Sequence, residues 1–291
     1  MLRRHHPRAV RTAWTAAHQG LLVLLAAAFL TPIIVMIVGA GKPSAEALGA
    51  GWGAFDPKGF AEIGANVRAA LAGSANLSFG GAFRNSVLIS TLTVVLGLGV
   101  NSLAGYALAR LPFRGRRVAL AIVIGFIVVP FEALALPMLV LSSTPVAGIR
   151  LSDSLLAQVL PFVAQPLYIF LFYSFFSGIS TEFEEAAQID GAGVLRTFVS
   201  VIMPLAGPAY ASCAILTFLY SWAQFLWPVM ITAANPSNAP LTLGLYNFLG
   251  TTPNWGAFYA YTTMMVAPVV VVFVAFQRWY VQGVASSGLK G

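Results

Sequence analysis

Residues 185–204 read EAAQIDGAGVLRTFVSVIMP, a polar segment that begins with an acid and lies between two long apolar stretches of the chain. Apolar stretches of that length can cross a bilayer, because about 20 helical residues span its hydrocarbon core. The polar segment is therefore expected at a membrane surface. Its composition predicts a short helix, a turn and a return into the membrane, which is the form of a docking element for a soluble partner.

The composition of the whole chain agrees with membrane insertion. Of 291 residues, 58% are hydrophobic and 9% are charged, whereas soluble domains carry about 25% charged residues. Backbone groups in lipid must pair within their own segment, so the long apolar runs are expected to be helices. The predicted fold class is all-α, a polytopic membrane protein with six transmembrane helices, near residues 17–39, 84–108, 118–141, 155–177, 206–232 and 257–280.

The basic residues predict which side of the membrane each connection faces, because Lys and Arg near span ends are retained in the cytoplasm. The larger set lies on the same side as the polar segment: Arg3, Arg4, Arg8, Arg11, Arg110, Arg114, Arg116, Arg117, Arg196, Arg278 and Lys290. The smaller set lies on the other side: Lys42, Lys58, Arg68, Arg84 and Arg150. Both termini are therefore predicted to be cytoplasmic. The cytoplasmic excess of basic residues accounts for the net charge of +7. The sequence has no basic stripe interleaved with aromatic residues, which would indicate a nucleic-acid partner.

The spans and connections divide the chain into successive regions. These are a cytoplasmic tail at residues 1–16, the first span with an external loop at 17–82, a transmembrane core at 83–280 that contains the cytoplasmic loop 178–205, and a cytoplasmic tail at 281–291. Within the loop, Thr181 and Glu184 have the spacing of a capping box, which predicts a helix that starts at Thr181. Gly191 and Gly193 are expected to end it. The face presented by this helix is predicted to carry Phe183, Ala186, Ala187 and Asp190.

This loop resembles the coupling loop of binding-protein-dependent ABC importer permeases, in which EAA is followed by three residues, Gly, nine residues and Ile-x-Leu-Pro. Glu185, Gly191 and Pro204 fall on that spacing, with Val201 for Ile and Met203 for Leu. Other stretches are similar to permeases of carbohydrate-type importers, particularly those like the second permease subunit of maltose transporters. These stretches are PFRGRR, FLYSWAQFLWP, NWG and the closing QRWYVQGVASSGLKG.

The resemblance implies a type I ABC importer permease that forms half of a pathway for a sugar or related polyol, glycerol phosphate included. Its implied partners are a second permease subunit, two ATPase subunits that hold ATP and Mg, and an extracytoplasmic binding protein or lipoprotein. The implied location is a bacterial or archaeal plasma membrane, and no cofactor is expected on this chain. The implied ATPase contacts are Glu184, Glu185, Ala186, Ala187, Asp190 and Gly191 in the loop, and Gly288 and Lys290 in the tail.

A candidate substrate region is indicated by one acidic residue inside a predicted span. Glu132 is the only acid inside a predicted span, and an ionisable group in a membrane is a candidate functional residue. At a rise of 1.5 Å per residue it would lie roughly 21 Å from the inner surface, at a depth similar to Trp222. With Gln224, these residues are predicted to form a polar and aromatic belt for a sugar. The alternative left open is that Glu132 pairs with a neighbouring helix and Trp222 is an interfacial anchor.

Glu132 also motivates an alternative function, a proton-coupled secondary transporter. The lack of further buried acids and of internal repeats argues against that class, and such a carrier needs no docking loop. No G-x-x-x-x-G-K-[ST] motif occurs, so this chain is not expected to hydrolyse ATP. The three histidines, His5, His6 and His18, all lie at or before the first span, which argues against a membrane-embedded hydrolase.

Overall fold

A computed structural model of the protein describes residues 8–47, 60–73, 77–144, 151–233, 235–250 and 252–288. Within these ranges the regular structure is helical and no strand occurs. The α-helices are α1 (Arg8–Gly39), α2 (Ser44–Ala47), α3 (Ile63–Ala72), α4 (Phe79–Arg110), α5 (Arg116–Ile127), α6 (Phe131–Ser143), α7 (Leu156–Val159), α8 (Pro166–Ser177), α9 (Glu182–Ile189), α10 (Val194–Thr197), α11 (Met203–Leu205), α12 (Gly207–Trp222), α13 (Leu226–Ile231), α14 (Leu241–Gly244) and α15 (Trp255–Gly288). Shorter elements are a π-helix at Phe198–Ile202 and 3₁₀ turns at Leu151–Asp153, Leu160–Phe162, Pro236–Asn238 and Leu245–Phe248.

The described helices account for the predicted number of spans. Three are long and apolar enough to cross a membrane, namely Trp14–Gly39 within α1, the whole of α4, and Trp255–Phe276 within α15. Three further spans are bent pairs: α5 with α6 at 101°, Leu156–Phe162 with α8 at 46°, and Val194–Leu205 with α12 at 81°. When each bent pair counts as one span, the described residues contain up to six. The predicted fold class is confirmed.

The third predicted span, residues 118–141, is not one straight helix. α5 ends at Ile127, and Pro130 caps α6 in an extended conformation. Proline disfavours the helical conformation in the residue before it, so the break falls where the sequence places Pro130. The continuous helix assumed in predicting the depth of Glu132 is therefore wrong, since α5 and α6 meet at 101°. The fifth predicted span is also interrupted, since α12 ends at Trp222 and α13 begins at Leu226.

One compact unit comprises the described parts of Met1–Ala72 and Leu245–Met264. The buried side chain of Asn66 in α3 donates hydrogen bonds to the carbonyls of Ala40 (2.9 Å) and Lys42 (2.8 Å), just after α1 ends. The hydroxyl of Ser44 accepts a hydrogen bond from the backbone N–H of Trp255 at 2.9 Å. These bonds hold the end of the first span beside the start of α15.

The other unit comprises the described parts of Gly73–Gly244 and Met265–Gly291, and α4 is its central helix. α8 and α12 both pack along α4. The apolar core at this junction consists of Tyr106, Ala109, Tyr168, Phe172, Phe176, Phe198, Ile202, Ala206, Ala209 and Cys213. Asn101 in α4 satisfies backbone groups at the bend that precedes α8: its amide donates to the Val163 carbonyl at 3.0 Å, and its carbonyl accepts from the Gln165 N–H at 2.9 Å.

Two glycines of α4 provide a matched test of the α4–α8 packing. A Cβ at Gly105 would lie 2.6 Å from the Cβ of Phe172, whereas a Cβ at Gly99 would meet nothing within 4 Å. We expect Gly105→Ala to destabilise the protein by about 1–3 kcal/mol, the usual cost of overpacking. Gly99→Ala should be neutral or slightly stabilising, since alanine is the better helix former. Thermal unfolding in detergent measures both variants, and equal midpoints would contradict the close packing at Gly105.

Candidate functional site

The polar loop contains the predicted short helix, α9, which spans Glu182–Ile189. Its N-terminus differs from the predicted capping box, because the side chain of Thr181 makes no capping hydrogen bond. The hydroxyl of Ser180 instead accepts from the Glu182 N–H at 3.3 Å. Gly191 ends the helix as predicted, with φ at 76°, a conformation that glycine adopts without steric cost. The N–H of Ala192 closes the terminal turn by donating to the Ala187 carbonyl at 2.9 Å.

The exposed face of α9 differs in part from the predicted one. Glu185, Ala186 and Asp190 are exposed, as is Gly191 after the helix. Ala187 is buried within the chain, where α9 packs against the π-helix Phe198–Ile202. The expectation that Ala187 is presented to a groove on a partner is therefore wrong. The side of α9 that carries Ala187 is therefore covered by the π-helix of the same chain and is not open to a partner.

An apolar residue on the exposed face was missing from the predicted site. Ile189, at the end of α9, has 87% of its surface exposed. It is followed by the exposed side chains of Val194 and Leu195 at the start of α10. The sequence did contain the signal, because Ile189 is an isolated large apolar residue within a polar and acidic stretch. These exposed apolar side chains lie in the loop that the sequence predicts to be a docking element.

Glu184 points toward the transmembrane helices and forms an ion pair with Arg110, the last residue of α4. The guanidinium Nε and the Glu184 Oε1 are 3.7 Å apart, and the two side chains are 9% and 14% exposed. The separation is too long for a direct hydrogen bond. The phenol of Tyr106, one turn earlier in α4, lies beside the same carboxylate.

Arg110 also binds the end of α8. Its Nη2 donates to the carbonyl of Phe176 at 2.6 Å and to the carbonyl of Ile179. These carbonyls belong to the last turn of α8 and the residues after it, and the Phe176 carbonyl also accepts from the Ile179 N–H at 3.1 Å. One guanidinium therefore connects α4, α8 and α9, and we refer to Arg110, Glu184 and these two carbonyls as the arginine clasp. The sequence indicated Arg110 only as one of the cytoplasmic basic residues.

The structure groups the predicted substrate residues differently. Tyr220 interacts with the side chain of Gln224 and lies within electrostatic range of Glu132, which is exposed in the first turn of α6. Trp222 does not join them. It is buried, and its indole N–H donates to the carbonyl of Met265 at 3.1 Å. Trp222 therefore packs inside the helix bundle in this structure, and its contact with a substrate stays a prediction.

Two predicted site residues of the C-terminal tail lie at the end of the described chain or beyond it. Lys290 falls outside the described residues, and Gly288 is seen only as the last residue of α15. Within the described ranges, no group of three or more His, Cys, Asp or Glu side chains could hold a metal ion. The single cysteine, Cys213, is buried and reduced in the core beside α8.

Comparisons with known proteins agree with this arrangement. The arabinooligosaccharides transport system permease protein AraQ of Bacillus subtilis is 30% identical over 271 residues, which cover 92% of this chain and 93% of that protein. Its counterpart in Halalkalibacterium halodurans is 36% identical over 212 residues, 72% of this chain and 74% of that protein. The sn-glycerol-3-phosphate transport system permease protein UgpE of Yersinia pestis is 30% identical over 218 residues, 74% of this chain and 76% of that protein.

A solved structure shares the fold, and a sequence profile identifies the family. A solved bacterial ABC transporter involved in the import of the acidic polysaccharide alginate contains a chain that superposes with a TM-score of 0.77, at 23% identity, over 96% of this chain and all of that one. Residues 101–286 match the profile of the binding-protein-dependent transport system inner membrane component. The match includes the clasp arginine, α9 and most of α15. The chain therefore belongs to the family of binding-protein-dependent transport system inner membrane components.

Proposed function

We propose that this chain is one permease subunit of an ABC importer for a saccharide or a related polyol. It pairs with a second permease subunit to enclose the pathway, and an extracytoplasmic binding protein or lipoprotein delivers the substrate. Two separate ATPase subunits hold ATP and Mg and carry out hydrolysis, so the chain has no catalytic role of its own. The proposed location is a bacterial or archaeal plasma membrane, with both termini and α9 on the cytoplasmic side.

The arginine clasp is the observation that carries this proposal. α9 exposes Glu185, Ala186 and Ile189 on one side, while Glu184 on the other side is tied to Arg110. The same arginine holds the end of α8. A displacement of α9 by an ATPase subunit would therefore move the cytoplasmic ends of α4 and α8 with it. We propose that this linkage converts closure of the ATPase subunits into rearrangement of the spans.

The substrate class is supported by the names of the relatives and by one polar cluster. Those relatives are permeases for arabinooligosaccharides, α-glucosides and sn-glycerol-3-phosphate, which are all rich in hydroxyl groups. Tyr220, Gln224 and Glu132 offer hydroxyl, amide and carboxylate groups close together. Phe162 packs edge-on against Tyr220, with ring centroids 5.5 Å apart. We propose that this cluster contacts the hydroxyl groups of the passing substrate.

Co-purification from the native membrane tests the assignment. A tagged chain is expected to retain a second permease and an ATPase, identified by mass, and the reconstituted assembly should take up substrate only when ATP is supplied. Uptake by the isolated chain without ATP, driven by an imposed proton gradient, would overturn the proposal in favour of a secondary transporter.

Glu132→Gln tests the substrate cluster and the energy source together. Because glutamine keeps a hydrogen-bonding group at that position, ATP-driven uptake should persist, with an affinity loss of about 1 kcal/mol for one altered hydrogen bond. Uptake into proteoliposomes is measured with the proton gradient imposed or collapsed. Glu62→Gln is the matched control, since Glu62 is exposed in the other unit. Wild-type uptake that follows the proton gradient without ATP, and that Glu132→Gln abolishes at wild-type expression, would contradict this role.

A further inference from the structure

A basic cavity lies at the turn that joins α4 to α5, beside α8. Its volume is about 940 Å³, and its lining includes Phe113, Arg114, Arg116, Arg117 and Tyr173. No acidic residue lines it. The cavity opens where α4 ends and α5 begins, which places it at the same membrane surface as the arginine clasp.

The arginines of the cavity differ in how they are used. Arg116 is engaged internally, since its guanidinium donates to the carbonyls of Leu108 (2.5 Å) and Ala109 (2.7 Å) in the last turn of α4. Arg114 and Arg117 are exposed, and neither makes a hydrogen bond or ion pair with any residue in the described part of the chain. Two guanidinium groups are therefore free to bind an anion from outside the chain.

The start of α5 adds to the positive character of the cavity. α5 begins after Gly115, which has φ at 85° and provides no side-chain cap. The helix is 12 residues long, and the first backbone N–H groups of such a helix are donors suited to a phosphate oxygen. The Arg116 N–H already donates to the Phe113 carbonyl at 3.4 Å, so the amides that follow it in the first turn are the ones that could add to the two exposed arginines.

An apolar stripe leads away from the cavity along α5. Val118, Ile122 and Phe126 are 63%, 53% and 52% exposed, and their spacing of four residues places them on one face of the helix. None of the residues of α5 is buried. The stripe begins one residue after Arg117, so a ligand with a phosphate and long alkyl chains would contact both parts at once.

We propose that the cavity and the α5 stripe form a binding site for an anionic glycerophospholipid. Its phosphate is held by Arg114, Arg117 and the start of α5, and its acyl chains follow Val118, Ile122 and Phe126. Basic residues at a membrane surface attract anionic lipids, and the absence of an acid in the lining leaves that attraction uncompensated. The inference requires that the chain spans a membrane but does not depend on how it couples to an ATPase.

Native mass spectrometry of the whole purified transporter measures the binding. The complex is incubated with phosphatidylglycerol, with phosphatidylcholine or with inorganic phosphate. We expect Arg114→Gln/Arg117→Gln to retain phosphatidylglycerol about 30-fold more weakly than wild type, from the contribution of two basic residues. Retention of phosphatidylcholine, which carries the phosphate but no net headgroup charge, should fall much less. The control is Arg68→Gln/Arg84→Gln, which removes two exposed arginines elsewhere and should leave phosphatidylglycerol binding at the wild-type level.

A second variant separates a lipid from a free anion. Ile122→Ser/Phe126→Ser keeps both cavity arginines and should also weaken retention of phosphatidylglycerol. Equal phosphatidylglycerol retention in the arginine variant and its control would overturn the site. Binding of inorganic phosphate as tight as that of phosphatidylglycerol would overturn the lipid assignment. Protection of the α5 stripe by the second permease subunit in crosslinking, without retained lipid, would do the same.

Discussion

Replacing Arg110 with methionine is expected to cost about 3 kcal/mol of stability, because it leaves Glu184 as an unpaired charge in a largely buried position. The carbonyls of Phe176 and Ile179, at and after the end of α8, lose the guanidinium donor in the same substitution. Ion pairs at an exposed surface contribute far less. Here both side chains are largely buried, since only 9% and 14% of their surfaces are exposed. Thermal unfolding of the purified complex in detergent measures the loss of stability. ATP-driven uptake should fall at the same time, since α9 would no longer be tied to α4.

The second member of the pair gives a control for this result. Arg110→Met/Glu184→Leu removes both charges, and replacement of a buried ion pair by apolar residues is often neutral. The double variant should therefore recover much of the stability that Arg110→Met loses, but not the bonds to the Phe176 and Ile179 carbonyls. Its uptake per ATP hydrolysed should remain low, because the link to α8 stays broken. Glu185→Gln, which alters the exposed neighbour of Glu184, should leave stability unchanged. A wild-type unfolding midpoint for Arg110→Met would contradict the clasp.

Replacing Ile189 with aspartate is expected to weaken retention of the ATPase subunits by at least about 30-fold, corresponding to about 2 kcal/mol for the loss of a central apolar contact. The fold should be unaffected, because Ile189 is 87% exposed and makes little contact with its own chain. The measurement is the amount of ATPase that co-purifies with a tagged variant at increasing salt concentration.

Gln188→Asp is the matched control for Ile189→Asp. It introduces the same charge one residue earlier in α9, on an exposed side chain that is turned roughly 100° around the helix from Ile189. ATPase retention in this control should stay within a few-fold of wild type. If both variants lose the ATPase equally, the effect is due to added negative charge in the loop rather than to the apolar contact at Ile189.

The position of α9 could be predicted from the sequence because its signals are local. Acidic residues favour the start of a helix, and Gly191 takes a positive φ that few other residues adopt readily. α9 accordingly lies within the loop 178–205 and ends before Gly191. The capping box did not form, since Thr181 has helical backbone angles and makes no capping bond, and the Glu184 carboxylate faces Arg110 instead of the N-cap backbone. That partner is distant in sequence, so its competition is invisible to a local pattern.

The six apolar runs, the acidic loop and its terminating glycine were determined by the sequence itself, since hydropathy and backbone preference depend on residue type and near neighbours. Only the tertiary structure decided which side of each helix meets another helix. In the folded chain Ala187 is buried and Ile189 is exposed. The indole of Trp222 donates to the Met265 carbonyl and does not lie with Gln224. Arg110, distant in sequence, pairs with Glu184. The physical reason is that a membrane-spanning helix is apolar on every side. Its hydrophobic pattern therefore indicates that it is in the membrane but not what it faces, and that choice is made by shape and by the few buried polar groups.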